Sequence, residues 1–263
     1  MDKQHLPIKM VVSDLDRTLL HTDKTISKYT EDVLIRCCQR GIKVVFATAR
    51  PKNRVDIFPF LHVANSMISS NGAAIYEKNR LLAHFGIPVE NTRSFLRKFL
   101  PAFPDIGISV EYDDLAVTNY DISTMWTAEI RNDIHHLPDK EAEKIVVWAG
   151  PEMMESVCKI LPDQLYAQLC EKRLILIMPK TTTKWTAIQY LSDHWKILPD
   201  EIVSFGDDFN DIVMLRCCGM GIAVSNGIEE VKSIADDICD SNDQDGVAKW
   251  LEINVLQEFH KHS

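Results

Sequence analysis

An apolar run over residues 8–13 that stops at Asp14-Leu15-Asp16-Arg17-Thr18 sets the tightest limit on how this chain folds. A continuous apolar segment of that length suits a strand buried on both faces, as in parallel sheets covered by helices. The two carboxylates fall where the strand ends and a turn begins. Buried charge is costly unless it is paired or metal-bound, so acids placed there serve packing poorly. They suit phosphoryl chemistry. One carboxylate can attack phosphorus, the other can move the proton, and a divalent cation between them would relieve their repulsion. A strand-end turn that is merely rich in Asp and Thr is the competing reading of this run.

The same alternation of strand and helix continues on both sides of a middle region. Ser27 is placed to N-cap a helix running to about Arg40, with Gly41 ending it. Residues 43–47 and 66–69 read as the next strands, and residues 201–205 and 221–224 repeat the pattern later in the chain. Such βαβ order implies an α/β fold, a Rossmann-like doubly wound parallel sheet with helices on both faces, whose ligands bind beyond the carboxyl ends of the strands. Between about residues 83 and 181 the strand signals alternate instead, at 107–112, 115–120 and 144–148, as expected of a sheet with one wetted face. A helix over 151–161 and strands at 164–170 and 173–178 complete that region. The expected organisation is a core domain of residues 1–82 and 182–263 with an inserted α+β cap of residues 83–181.

Charge narrows the function. The chain holds 29 Lys and Arg against 38 Asp and Glu, a net charge of -9, which argues against nucleic acid, since phosphate-backbone binding depends on cationic side chains. No apolar stretch reaches the roughly 20 residues that span a bilayer, and the start, Met1-Asp2-Lys3-Gln4-His5, has no apolar signal segment. The expectation is a cytoplasmic protein without a membrane or nucleic-acid partner. Seven cysteines, including Cys37-Cys38 and Cys217-Cys218, form neither a disulfide framework nor a zinc spacing, and read as buried free thiols on helices.

The remaining strand ends carry further polar groups. Thr48 and Arg50 follow the second strand, and Asn71-Gly72 the third. Each is also an ordinary turn sequence. Lys184 follows three threonines at the start of a helix, where a cation opposes the dipole; that misfit suggests a carboxylate or anion partner. Gly206-Asp207-Asp208-Phe209-Asn210-Asp211 then offers hard oxygen ligands suited to Mg²⁺ at a strand-to-helix turn. An acidic helix start would look the same.

Taken in order, Asp14-Leu15-Asp16-Arg17-Thr18, Thr48-Ala49-Arg50, Asn71-Gly72, Lys184 and Gly206 to Asp211 resemble the haloacid dehalogenase (HAD) superfamily, specifically its Cof-type sugar-phosphatase-like branch with a C2B-type cap. Val224-Ser225-Asn226-Gly227 and the stretch over 241–248 look like that branch too, so the resemblance spans almost the whole chain. It implies that Asp14 is the nucleophile and a Mg²⁺ ligand. Asp16 is the general acid and base, with its main-chain carbonyl on the metal. Thr48 and Lys184 hold phosphate oxygens, Asp207 is a direct metal ligand, and Asp211 holds metal-bound water. Arg50, Asn71, Gly72 and Asn210 contact substrate. Arg17 stands where the family usually has glycine, and Ala49 where glycine is common.

These readings point to a Mg²⁺-dependent phosphatase for small phosphorylated metabolites, sugar phosphates or phosphorylated cofactors, working as a monomer or weak homodimer. The cap would exclude water and select substrates by size. A phosphomutase of the same superfamily and a non-catalytic phosphoacceptor module are the alternatives. The presence of Asp16, a proton shuttle, favours turnover over the second. His135-His136 read as a solvated loop pair, Trp126, Trp148 and Trp185 as packing residues, and 259–263 as a frayed end.

Overall fold

The computed structural model describes residues 7–123, 129–170 and 172–257. The expectations for Met1 to His5, Trp126 and residues 259–263 lie outside the described residues. Two compact units are present: one of Met1–Ala49, Phe58–Leu82 and Thr183–Ser263, the other of Arg50–Ile57 and Ala83–Thr182. The short segment Arg50–Ile57 thus groups with the second unit.

In the first unit, Met10–Ser13 is fully buried and pairs in parallel with Lys43–Ala47 on one side and Ile202–Gly206 on the other. The sheet order is Asp237–Cys239, Met220–Val224, Ile202–Gly206, Met10–Ser13, Lys43–Ala47, Ser66–Ser69, Ala74–Glu77, Arg80–His84. The strands from Asp237–Cys239 through Ser66–Ser69 run parallel, as the continuous apolar runs predict. Ala74–Glu77 pairs antiparallel to Ser66–Ser69, so the sheet is mixed. Helix Lys28–Gln39 begins where the Ser27 side chain accepts from the Thr30 main chain. It ends at Gly41, whose φ of 81° suits a residue without Cβ. Its Val33, Leu34 and Cys37 face the core.

The second unit is a six-stranded sheet under helices Val89–Ala102 and Met154–Ile160. One face packs Ile108, Val110, Ile145, Val147, Ile175 and Ile177 against Phe95 and Phe99 of the longer helix. The opposite face mixes polar residues with apolar ones such as Ala116 and Trp148, and it is not the wetted face that alternation implied: Ser109, Glu111, Thr118 and Lys144 are all buried. Register explains how charge is tolerated there. Glu111 and Lys144 are directly opposite on antiparallel neighbours, and their charged groups lie 3.2 Å apart. The helix expected over 151–161 is a 3₁₀ turn, Pro151–Met153, followed by Met154–Ile160.

No helix among the described residues is long and apolar enough to cross a membrane. All seven cysteines are free. Burial pushes the Cys37 and Cys218 thiols up to about 12, so they behave as small apolar groups. Cys158 and Cys217, by contrast, are exposed.

Candidate active site

The loops that leave the carboxyl ends of the central parallel strands bring together groups far apart in sequence. Asp14 sits one residue past Met10–Ser13, its main-chain N–H bonded to the Phe205 carbonyl, so the sheet fixes where its side chain starts. Asp207 follows Ile202–Gly206 in the same way. The turn after Asp14 is closed by N–H groups of Thr18, Leu19 and Leu20 that all donate to the Leu15 carbonyl. It also places Arg17 at φ 63°. That is the left-handed region, where glycine is at ease and a side chain is strained. The conformation accounts for a glycine preference at this position, and here an arginine adopts it.

Three carboxylates, Asp14, Asp207 and Asp211, each offer an oxygen within 4.8 Å of the others, and all three are buried. Lys184 enters this cluster from the first position of helix Lys184–Trp195. Thr183 caps that helix, its hydroxyl accepting from Thr186 N while Thr186 Oγ1 accepts from Thr183 N. The fully buried Lys184 ammonium donates to Asp14 at 2.5 Å and Asp211 at 2.7 Å. The unfavourable placement of a lysine at a helix start is thereby offset by two carboxylates.

Asp211 is committed on both oxygens. One accepts from Lys184, the other from the Asp207 and Asp208 main-chain N–H groups. It therefore shapes the turn that presents Asp207. Asp207 accepts from the Thr18 hydroxyl at 2.9 Å, and the Arg17 Nε lies 3.7 Å from its second oxygen.

Burial dominates the electrostatics. It raises the Asp14 carboxyl well above the usual carboxylate range; Lys184 works against the rise, while Asp211 and Asp207 add to it. Asp207 is pushed up to about 6, by burial first and then by Asp211, with Thr18, Arg17 and Lys184 opposing. Lys184 is held above its ordinary value: burial disfavours its charge, but Asp14 and Asp211 outweigh that. Three buried carboxylates, with the Asp14 and Asp207 carboxyls pushed upward, form a site short of positive charge. Its donors are all hard oxygens, the set that fits Mg²⁺.

Of the other expected residues, Asp16, Thr48, Asn71, Gly72 and Asn210 lie in the same unit as this cluster. Thr48 is buried at the end of Lys43–Ala47, and its carbonyl accepts from Asn71 N. Asn71 has φ 57° and its side-chain carbonyl accepts from the Asn210 amide at 2.9 Å, so these two residues hold each other. Gly72 is needed for space as well as for its φ of 110°: a Cβ there would lie 2.2 Å from the Thr183 carbonyl, just before Lys184. The Asp16 side chain is not part of the buried cluster; one third exposed, it accepts from Lys24 Nζ at 2.8 Å. Arg50 belongs to the second unit. His135 and His136 are exposed, and His136 pairs with Asp133.

Sequence reasoning missed Thr18 as the partner of Asp207, although its place four residues after Asp14 was visible. It also missed Lys24, for which the sequence holds no signal. The loop carrying both is pinned from the far end of the chain. Asn242 donates to the Leu20 carbonyl, and one Asp245 oxygen receives His21, Ser27 and Thr30.

Comparison with known proteins identifies the family. A family described as haloacid dehalogenase-like hydrolase matches residues 11–251. The 5-amino-6-(5-phospho-D-ribitylamino)uracil phosphatase YitU of Bacillus subtilis is 25% identical, covering 92% of this chain and 96% of its own length. The phosphatase YwpJ of the same organism is 26% identical, with 93% and 99% covered. The solved structure of BT1666, an HAD-superfamily phosphatase from Bacteroides thetaiotaomicron, superposes with a TM-score of 0.84 at 24% identity, covering 96% of this chain and 97% of that one. With its family matched over nearly the whole length and its acidic cluster at the strand ends, the chain belongs to the haloacid dehalogenase-like hydrolases.

Proposed function

We propose that this hydrolase is a Mg²⁺-dependent phosphomonoesterase of small phosphorylated metabolites, sugar phosphates or phosphorylated cofactors, acting in the cytoplasm as a monomer or weak homodimer. The observation that carries the reading is the buried Asp14 carboxylate held 2.5 Å from the Lys184 ammonium among two further acids. Phosphoryl transfer is mostly positioning and charge neutralisation, which such a site provides. The name of YitU, a phosphatase of a small phosphorylated metabolite, supports the same class of substrate, and that of YwpJ supports phosphatase activity.

In this reading an Asp14 oxygen attacks phosphorus as the ester P–O bond breaks, giving an aspartyl-phosphate. Asp16 gives its proton to the leaving alkoxide, then takes one from the water that attacks the aspartyl-phosphate and frees inorganic phosphate. Lys184 and Thr48 hold phosphate oxygens. Arg50, Asn71, Gly72 and Asn210 orient the substrate. Asp14, Asp207 and the Asp16 carbonyl would hold Mg²⁺, with Asp211 fixing its water, and the ion would supply Lewis-acid polarisation and charge neutralisation. Residues 1–82 and 182–263 carry this chemistry, and the inserted residues 83–181 select the substrate.

The test is phosphate release from a panel of small phosphate esters, with and without Mg²⁺, alongside Asp14→Asn. Metal-dependent release that disappears in the variant is expected. Release from the variant at the wild-type rate would remove Asp14 from its role.

A further inference from the structure

Arg17 holds a position that its own backbone disfavours, and its contacts explain what it does there. Arg17 and Asn226 exchange hydrogen bonds in both directions: Nη2 donates to the Asn226 carbonyl at 3.2 Å, and Asn226 Nδ2 donates to the Arg17 carbonyl at 2.7 Å. Asn226 is itself fixed, because its side-chain carbonyl accepts from Asn242 N. This latch leaves Nε 3.7 Å from Asp207 Oδ2, while Asp207 Oδ1 is taken by Thr18. Among the described ion pairs, Lys184 answers Asp14 and Asp211, and Arg17 answers Asp207.

A guanidinium stays charged at any working pH, so it does not withdraw by losing a proton when another cation arrives. An incoming divalent ion must share Asp207 with it or push it aside. We propose that Arg17 is a resident counter-ion of Asp207 that competes with Mg²⁺ for this carboxylate. It partly compensates the acidic cluster without metal and weakens the affinity for metal. The inference rests on the metal assignment in the proposed function. The Arg17 side chain is 60% exposed, which limits the effect through solvent screening. Repulsion between a univalent and a divalent ion several ångströms apart near a surface then corresponds to on the order of threefold to tenfold in affinity, shrinking as salt rises.

Calorimetric titration of the whole protein with Mg²⁺, at low and high potassium chloride, tests this on wild type, Arg17→Gln, Arg17→Lys and Arg17→Gly. Arg17→Gln is expected to bind Mg²⁺ on the order of threefold to tenfold more tightly than wild type at low salt. The gap should close at high salt, and Arg17→Lys should stay near wild type. Arg17→Gly, whose backbone is at ease at φ 63°, should share the tighter binding and guards against a Gln variant that folds poorly. A purely structural latch would lower the melting temperature with and without metal and leave Mg²⁺ affinity equal or weaker; that result in both neutral variants overturns the inference. If wild type and all variants alike give no Mg²⁺ binding, the metal assignment itself fails, and this inference with it.

Discussion

The Lys184 ammonium lies 2.5 Å from the Asp14 carboxylate, joining two buried residues 170 positions apart in the chain. Such a pair is costly to break. Removing one partner of a buried pair typically costs about 3–5 kcal/mol, because the other charge is stranded. Lys184→Met should lose stability on that scale, measured by urea unfolding near neutral pH. It should also lower phosphate release by at least about a hundredfold.

Asp14→Asn should act in the opposite sense on stability. It removes one of three clustered buried acids while keeping the shape of the side chain. The metal-free variant is expected to melt at or above the wild-type temperature, while turnover falls by at least about 10³-fold. A clear drop in melting temperature would mean that the Lys184 pairing outweighs the repulsion among the acids.

Asp207 gives a pH dependence with a definite sign. Its carboxyl is pushed up to about 6 by burial and by Asp211, against about 3.9 in the unfolded chain. The folded state therefore holds the proton more tightly. The stabilisation is full below the unfolded value and is lost as pH rises through about 6. Urea unfolding of metal-free protein across this window should show stability falling with pH, and Asp207→Asn should flatten that slope. Mg²⁺ affinity should rise over the same window, because the ligand must shed its proton.

Gly72→Ala probes the contact behind Lys184. A Cβ at Gly72 would sit 2.2 Å from the Thr183 carbonyl, and the residue has φ 110°. Backbone cannot yield as a flexible side chain does, so a loss of about 2 kcal/mol or more is expected. Because the displaced segment starts the helix of Lys184, phosphate release should fall as well. Equal unfolding midpoints for variant and wild type would show that the turn can relax.

Asp16 and Lys24 should separate chemistry from stability. Their ion pair is at 2.8 Å but substantially exposed, so Lys24→Ala should change stability by less than about 1 kcal/mol. Asp16→Asn should slow phosphate release by about 10²–10⁴-fold. Quenched-flow trapping of phosphorylated enzyme would show whether formation or hydrolysis of the aspartyl-phosphate suffers more. An unchanged rate would sink the proton-shuttle role.

How much of this could be read in advance follows from the range of the interactions involved. Strands Lys43–Ala47 and Ser66–Ser69 coincide with the continuous signals that announce them, and Lys144–Trp148 with its alternating one, because a strand needs only its own side chains to declare it. The cap of helix Lys28–Gln39 was equally legible, since Ser27 bonds within its own first turn. Positions of acids at strand ends follow from the same local logic. The antiparallel strand Ala74–Glu77 was not visible, for its pairing depends on a neighbour rather than on a pattern of its own.

The sequence by itself determined which polar groups stand at the ends of buried strands: Asp14 and Asp207 above all. Only the tertiary structure decided how their charges are shared. Lys184 meets Asp14 and Asp211, Arg17 meets Asp207, and Asp16 turns to Lys24 instead. Those partners lie anywhere from 8 to 190 residues apart in the chain, reckoned from the numbering of Asp16 with Lys24 and of Arg17 with Asp207. Local preferences fix backbone conformation, whereas the pairing of buried charges depends on which loops the completed sheet brings to the same edge.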